Sequence, residues 1–321
     1  MSDIDFPFKK KQVREALPLL KVGEPVTQAL PVQRYRSFYG IDFENRLANV
    51  VASTGIIKAA GFDIVTHVFM CQPSKGTVFV FHGLYDHVGI FDKPIAYFLE
   101  KGYSVVAYDL PGHGVSSGGL VAIKSFYRYQ QVLKALVAFL KKEIPGPWYA
   151  AAQSTGGAVL LEAMLHQSII GFEYPFKKTV LFAPLVRPVN WHRNKLIHSL
   201  ISPFIKYIPR NFTLNSNDEG FLRFLREQDI LQSRYLSADW VGALKKWVPQ
   251  IENADRCDYP TLIIQGEEDE TVDWQHNIPL LKEKLSNLQV LLIPDVRHQV
   301  VNEIETLRRL VFDNALEFIE D

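Results

Sequence analysis

The run Tyr149-Ala-Ala-Ala-Gln-Ser-Thr-Gly-Gly-Ala158 constrains the fold of this chain more than any other segment. An apolar stretch suited to a buried strand, Trp148 to Ala152, leads to Ser154. A helical pattern (Ala158, Val159, Leu160, Leu161, Met164, Leu165) starts just beyond it. With almost no spacer, the chain must pass from strand to helix in a sharp turn, so the flanking positions must be small. Ala152 and Gly156 meet that need. A serine at such an apex is a nucleophile elbow, its hydroxyl lifted clear of the sheet edge. Alone, this A-x-S-x-G string equally fits an ordinary strand–helix turn with a small residue at its tip.

The surrounding pattern extends the same architecture. Strand-like and helix-like segments alternate: strand 77–81, helix near 90–101, strand 104–110, helix near 123–142, strand 148–153, helix near 156–167, strand 178–184. Short β-rich runs separated by helical patterns indicate a mostly parallel central sheet with helices on both faces. The helix near 123–142 is the clearest, with Phe126, Tyr129, Val132, Leu133, Leu136, Val137 and Leu140 on one stripe. Residues 1–45 form a polar lead-in punctuated by prolines, without a clear period. Between Arg187 and Cys257 helical patterns follow one another with no strand, before strand 261–265 resumes the core.

Three further motifs each stand behind their own strand. Thr77-Val-Phe-Val-Phe81 ends in His82-Gly-Leu-Tyr-Asp-His87. Thr261-Leu-Ile-Ile-Gln265 empties into Gly266-Glu-Glu-Asp-Glu-Thr-Val-Asp273, and Val290-Leu-Leu-Ile-Pro294 precedes Asp295-Val-Arg-His-Gln299. Serine, then acid, then histidine is the chain order of α/β-hydrolases. Gly266-x-x-Asp269-x-x-Val272, His298-x-x-x-Asn302-Glu303, the H-G-x-x-x-H turn and the loop after Asp109 together resemble the lysophospholipase and monoacylglycerol lipase branch of that superfamily. The resemblance implies an α/β-hydrolase fold with a helical cap: 1–45 a lead-in packed on the core, 46–186 and 258–321 the core, and 187–257 the cap.

The roles it implies are specific. Ser154 is the nucleophile, which needs a base because a serine hydroxyl is weakly nucleophilic at neutral pH. His298 is that base, and Asp269 holds its tautomer. Glu267, Glu268, Glu270 and Asp273 share the acidic loop; the G-x-x-D-x-x-V match selects Asp269, and Asp273 reads as the start of the next helix. The backbone N–H groups of Leu84 and Thr155 form an oxyanion hole, Gly83 belongs to the turn that supplies the first, and His82 braces that loop. Gln153 stands where many relatives carry histidine, a change that bears on the pocket floor. In the cap, Ile197, Ile201 and Phe204 share a helical spacing with a kink at Pro203. That face either covers the core or lines an acyl-chain slot and touches lipid at the pocket mouth.

The expected activity is hydrolysis of a carboxylic ester, of a monoacyl lipid such as a lysophospholipid or monoacylglycerol, through an acyl-enzyme. A peptidase or acyltransferase uses the same triad, and a binding protein can retain the same fold. No cofactor is implied. His82 and His87 match no usual zinc spacing, and Gly112-x-Gly114 lacks the Lys-Ser/Thr of a phosphate loop. Lys plus Arg equals Asp plus Glu at 35 each, so no net field gathers nucleic acid. Two cysteines, a start without signal-peptide character and no long apolar run set the expectation of a cytoplasmic protein.

Overall fold

The computed structural model describes residues 7–166, 171–210 and 212–321. Residues 1–6 of the lead-in, the end of the helix expected near 156–167 and Asn211 of the cap segment lie outside them. The strands are β1 Val50–Ala59, β2 Phe62–Cys71, β3 Thr77–Phe81, β4 Ser104–Tyr108, β5 Trp148–Gln153, β6 Lys178–Phe182, β7 Tyr207–Pro209, β8 Tyr235–Ser237, β9 Thr261–Gly266 and β10 Leu288–Ile293. The helices are α1 Lys10–Ala16, α2 Leu30–Phe38, α3 Asp92–Glu100, α4 Phe126–Leu140, α5 Thr155–Leu165, α6 Trp191–Ile201, α7 Glu219–Glu227, α8 Ala238–Glu252, α9 Trp274–Lys284 and α10 Glu305–Glu320.

Eight strands form one sheet in the order β1-β2-β4-β3-β5-β6-β9-β10. Strand β2 runs antiparallel to β1 and β4, and the remaining pairings are parallel. The period of two in a strand divides the core. Phe79 and Phe81 of β3 join α4 and α5 on one face, whereas Val78 and Val80 join α3 and α10 on the other. Both faces are covered, so β3 to β5 are buried throughout and read as continuous apolar runs.

The β1–β2 hairpin has no counterpart among the elements read from the sequence. Its two-residue loop, Ala60-Gly61, has φ of 50° and 80°, the left-handed pair that such a hairpin turn requires. Alanine is an uncommon residue at the first of those positions, and the usual Asn-Gly or Asp-Gly signal is missing. Nor were the helices of the lead-in read from the sequence. The lead-in contains α1 and α2, from which Val13, Val32 and Tyr35 are buried against the core while Leu30 is exposed. Between them the chain lies along the edge of β1, where Leu20 N donates to Ile56 O (2.9 Å) and Ile56 N to Pro18 O (2.8 Å). This covers an otherwise open sheet edge.

Residues 187–257 enter after β6. They contain α6 to α8 and, against the expectation of helices alone, a two-stranded antiparallel ribbon of β7 and β8. The helix expected to kink at Pro203 instead ends at Ile201, because a proline has no N–H to continue the i→i−4 ladder. Helix α8 ties the segment to the core. Trp247 stacks on Phe126 with ring centroids 4.6 Å apart, and its Nε1–H donates to Glu162 Oε2 at 2.9 Å. Among the described residues no helix is long and apolar enough to cross a membrane.

A side chain at position 55 has no room under the lead-in, since its Cβ would lie 2.6 Å from Leu20 Cα. Gly55→Ala is expected to lose about 1–3 kcal/mol of stability by forcing the two main chains apart. An unchanged urea midpoint would contradict this account of the edge.

Candidate active site

The carboxyl ends of β3, β5, β9 and β10 meet along one edge of the sheet, where open α/β sheets place their ligands. Ser154 stands between β5 and α5 with φ 51° and ψ −110°. Such a backbone costs on the order of 1–3 kcal/mol for a residue with a side chain. Its neighbours hold it there: Ser154 N donates to Phe182 O at 2.9 Å, and Ser154 O accepts from Ala158 N at 3.0 Å. The small residue two positions on is required by contact. A Cβ on Gly156 would lie 2.7 Å from Phe81 Cβ and 2.8 Å from the carbonyl oxygens of Phe81 and His82.

Three side chains that are far apart in sequence meet at this turn. His298 Nε2 lies 3.0 Å from Ser154 Oγ, and His298 Nδ1 lies 2.8 Å from Asp269 Oδ2. An ionised carboxylate only accepts, so Nδ1 carries the proton and the Nε2 lone pair faces the serine hydroxyl. The other Asp269 oxygen accepts from Thr271 N (2.8 Å) and Val272 N (3.1 Å), and Gln265 Nε2 donates to Oδ2 at 2.9 Å. Burial alone would raise the Asp269 pKa; the nearby imidazole and these donors outweigh it and hold the group below its ordinary range. Burial likewise opposes a charged His298, but Asp269, with help from Asp86, holds it above its ordinary value. Glu270 lines the same cavity, yet it is Asp269 that bonds the His298 ring. Glu267, Glu268 and Glu270 are exposed, and Asp273 caps α9 by accepting from His276 N.

His82 and Gln153 lie behind the site. Leu110 N–H donates to His82 Nε2 (2.9 Å), which leaves Nδ1–H to donate to Gly83 O (2.8 Å). Burial, with His113 nearby, keeps this imidazole well below its ordinary pKa, so it remains neutral. It ties the Gly83 carbonyl to the main chain at Leu110, just after β4. Gln153 is not among the cavity-lining residues, contrary to the expectation that it bears on the pocket floor. Its Nε2 donates to His298 O at 2.7 Å, so it holds the histidine loop from beneath. Glu303 secures that loop from its far side, accepting from Arg297 N at 2.9 Å.

A cavity of about 510 Å³ opens over Ser154, lined by Leu84, Thr155 and His298 together with cap residues. Thr155 is the first residue of α5, and a helix leaves its first N–H groups without an intrahelical acceptor. Ile197 and Ile201 line the cavity; Phe204 does not, and is 87% exposed beyond the end of α6. Its expected place beside them depended on a helix that stops three residues earlier. Asp86, Arg210 and Gln299 also line the cavity and were not singled out from the sequence. Gln299 Nε2 donates to both Asp86 carboxylate oxygens (3.2 and 3.1 Å). The position of Asp86 within His82-Gly-Leu-Tyr-Asp-His87 was the available signal.

Residues 72–305 match the model of the family described as serine aminopeptidase, S33 (Hydrolase_4). The chain belongs to this family of α/β-hydrolases. Monoglyceride lipase of Mus musculus is 26% identical over 257 residues, spanning 72% of this chain and 82% of the relative. Two solved structures share the fold. Monoacylglycerol lipase of Paleococcus ferrophilus superposes with a TM-score of 0.68 at 17% identity, covering 80% of this chain and 99% of that one. A soluble variant of the Saccharomyces cerevisiae monoglyceride lipase, in complex with a substrate analog, gives 0.69 at 18%, covering 84% and 96%.

The His298 environment makes a direct prediction. By NMR its ring should titrate above the ordinary value of about 6.5, and as pH falls through that point Nε2 ceases to be an acceptor. In Asp269→Asn the midpoint should move down. Equal midpoints in the two proteins would show that Asp269 does not set this ring.

Proposed function

We propose that the protein is a serine hydrolase that cleaves carboxylic esters of monoacyl lipids through an acyl-enzyme. The hydrogen-bonded series Asp269–His298–Ser154, ending at a cavity of acyl-chain dimensions, carries this reading. Ser154 Oγ attacks the acyl carbonyl while His298 Nε2 takes its proton, and Asp269 stabilises the imidazolium. The carbonyl oxygen becomes an oxyanion between the N–H groups of Leu84 and Thr155, each such donor being worth about 3 kcal/mol of barrier. Collapse expels the alcohol, which takes the proton from His298. Water, deprotonated by the same histidine, then releases the acid and restores Ser154.

The cavity walls support an apolar acyl group. Leu185, Trp191, Ile197, Trp240 and Leu244 are among the cavity's apolar lining residues. The monoglyceride lipase relatives favour the same substrate class. A second reading, release of an amine from a peptide-like substrate, draws on the family description and on the Asp86 carboxylate in the same cavity. Outside, Leu196, Leu200 and Phe204 are exposed along and just after α6, with Lys206 close by. They form an apolar ledge beside the cavity, suited to resting on a lipid surface.

A fluorophosphonate probe should label the wild type and not Ser154→Ala, with p-nitrophenyl ester turnover rising with chain length. Preference for aminoacyl p-nitroanilides over esters would favour amine release, and a well-folded wild type that neither labels nor turns over would refute both. Replacing Leu196, Leu200 and Phe204 together by serine should reduce sedimentation with phosphatidylcholine vesicles at least severalfold, since each contributes apolar burial. Undiminished binding would remove the ledge from the account.

A further inference from the structure

We infer that the cap segment sets the position of the Leu84 N–H, gripping the loop that follows it at Tyr85 through Arg210 and at His87 through Asp229. Arg210 and Asp229 are thus positioning residues. The inference rests on the serine-hydrolase reading above.

Tyr85, next to the proposed oxyanion donor, has a φ of 70°. A bulky residue enters that region at a cost and stays there only when its surroundings hold it. The Arg210 guanidinium lies 4.0 Å from the centroid of the Tyr85 ring. Its Nη1 donates to Gln232 Oε1, and Gln232 Nε2 in turn donates to Asp229 Oδ2 at 3.4 Å. All three residues belong to the cap segment.

Asp229 grips the other end of the stretch. His87 accepts from Gly89 N at Nδ1 (3.1 Å), so its Nε2 carries the proton that faces Asp229 Oδ2 at 3.0 Å. Tyr39 O–H of the lead-in donates to Asp229 Oδ1 at 2.7 Å, and Leu231 N to the same oxygen at 3.0 Å. Both side chains of the His87–Asp229 pair are fully buried. Burial disfavours charge on each, yet the partner's charge holds His87 above and Asp229 below its ordinary range. Removing one member of such a pair leaves the other uncompensated, so the pairing enforces one arrangement. The path Tyr85–Arg210–Gln232–Asp229–His87 therefore closes on the loop from two sides. A shift of the cap moves Leu84 relative to Ser154.

If these residues merely anchored the cap, their loss would weaken all binding in the cavity alike. The test compares full-length wild type with Asp229→Asn, which does not line the cavity. Two decyl probes are used: a trifluoromethyl ketone, which forms a tetrahedral oxyanion with the serine, and the chain-matched alcohol, which does not. In Asp229→Asn, kcat for p-nitrophenyl butyrate and ketone affinity should each fall about tenfold, while KM and alcohol affinity stay within about twofold. Ketone and alcohol affinities that fall together, or do not change, would overturn the inference. Tyr39→Phe removes one hydroxyl and decides the matter if Asp229→Asn does not fold. The same split is expected at about threefold, in line with one lost hydrogen bond, and its absence counts against the inference. Wild type inactive toward ester and fluorophosphonate would instead refute the hydrolase reading beneath it.

Discussion

The site depends on a contact between two main chains. The start of α5 passes so close to the end of β3 that a Cβ on Gly156 would overlap Phe81 and the carbonyls of Phe81 and His82. Because those segments touch, the Ser154 hydroxyl, the Leu84 loop and the first N–H of α5 share one small volume. The sheet makes the contact possible by pairing β3 with β5 in parallel, so that both strands deliver their loops to the same edge. The unfavourable Ser154 backbone is the cost of this arrangement, and hydrogen bonds to Phe182 and Ala158 oppose its relaxation.

Two buried carboxylate–imidazole pairs flank that contact, and they differ in what the second ring nitrogen meets. His298 presents Nε2 to a serine hydroxyl at the floor of a cavity. His87 has its second nitrogen occupied by Gly89 N–H, and no ring position is left to accept a substrate proton. In the proposed reaction the same pairing serves proton transfer in one place and positioning in the other. Both histidines are held above their ordinary pKa by a carboxylate despite burial.

The alternating core and the chemistry of its loops were legible because each motif follows a strand rich in apolar residues, buried throughout in β3, β5 and β9. β3 and β5 begin where the sequence places them, and Ser154, Asp269 and His298 come together. Less legible were elements whose stability comes from tertiary contact. The β1–β2 hairpin turns on Ala60 at positive φ, α1 and α2 are short, and the β7–β8 ribbon has three residues per strand. Phe204 was misplaced because periodicity cannot show where a proline ends a helix instead of bending it. The Tyr39–Asp229–His87 link joins three segments far apart in sequence, and no local pattern announces it.

In the proposed reaction Ser154 carries the acyl group during turnover. Rapid acid quench of the wild type during hydrolysis of p-nitrophenyl decanoate, followed by peptide mapping, tests it most directly. A decanoyl group is expected on the peptide containing Ser154 and is absent from Ser154→Ala. Steady ester hydrolysis with the acyl group on another residue, or undiminished turnover by Ser154→Ala, would contradict it.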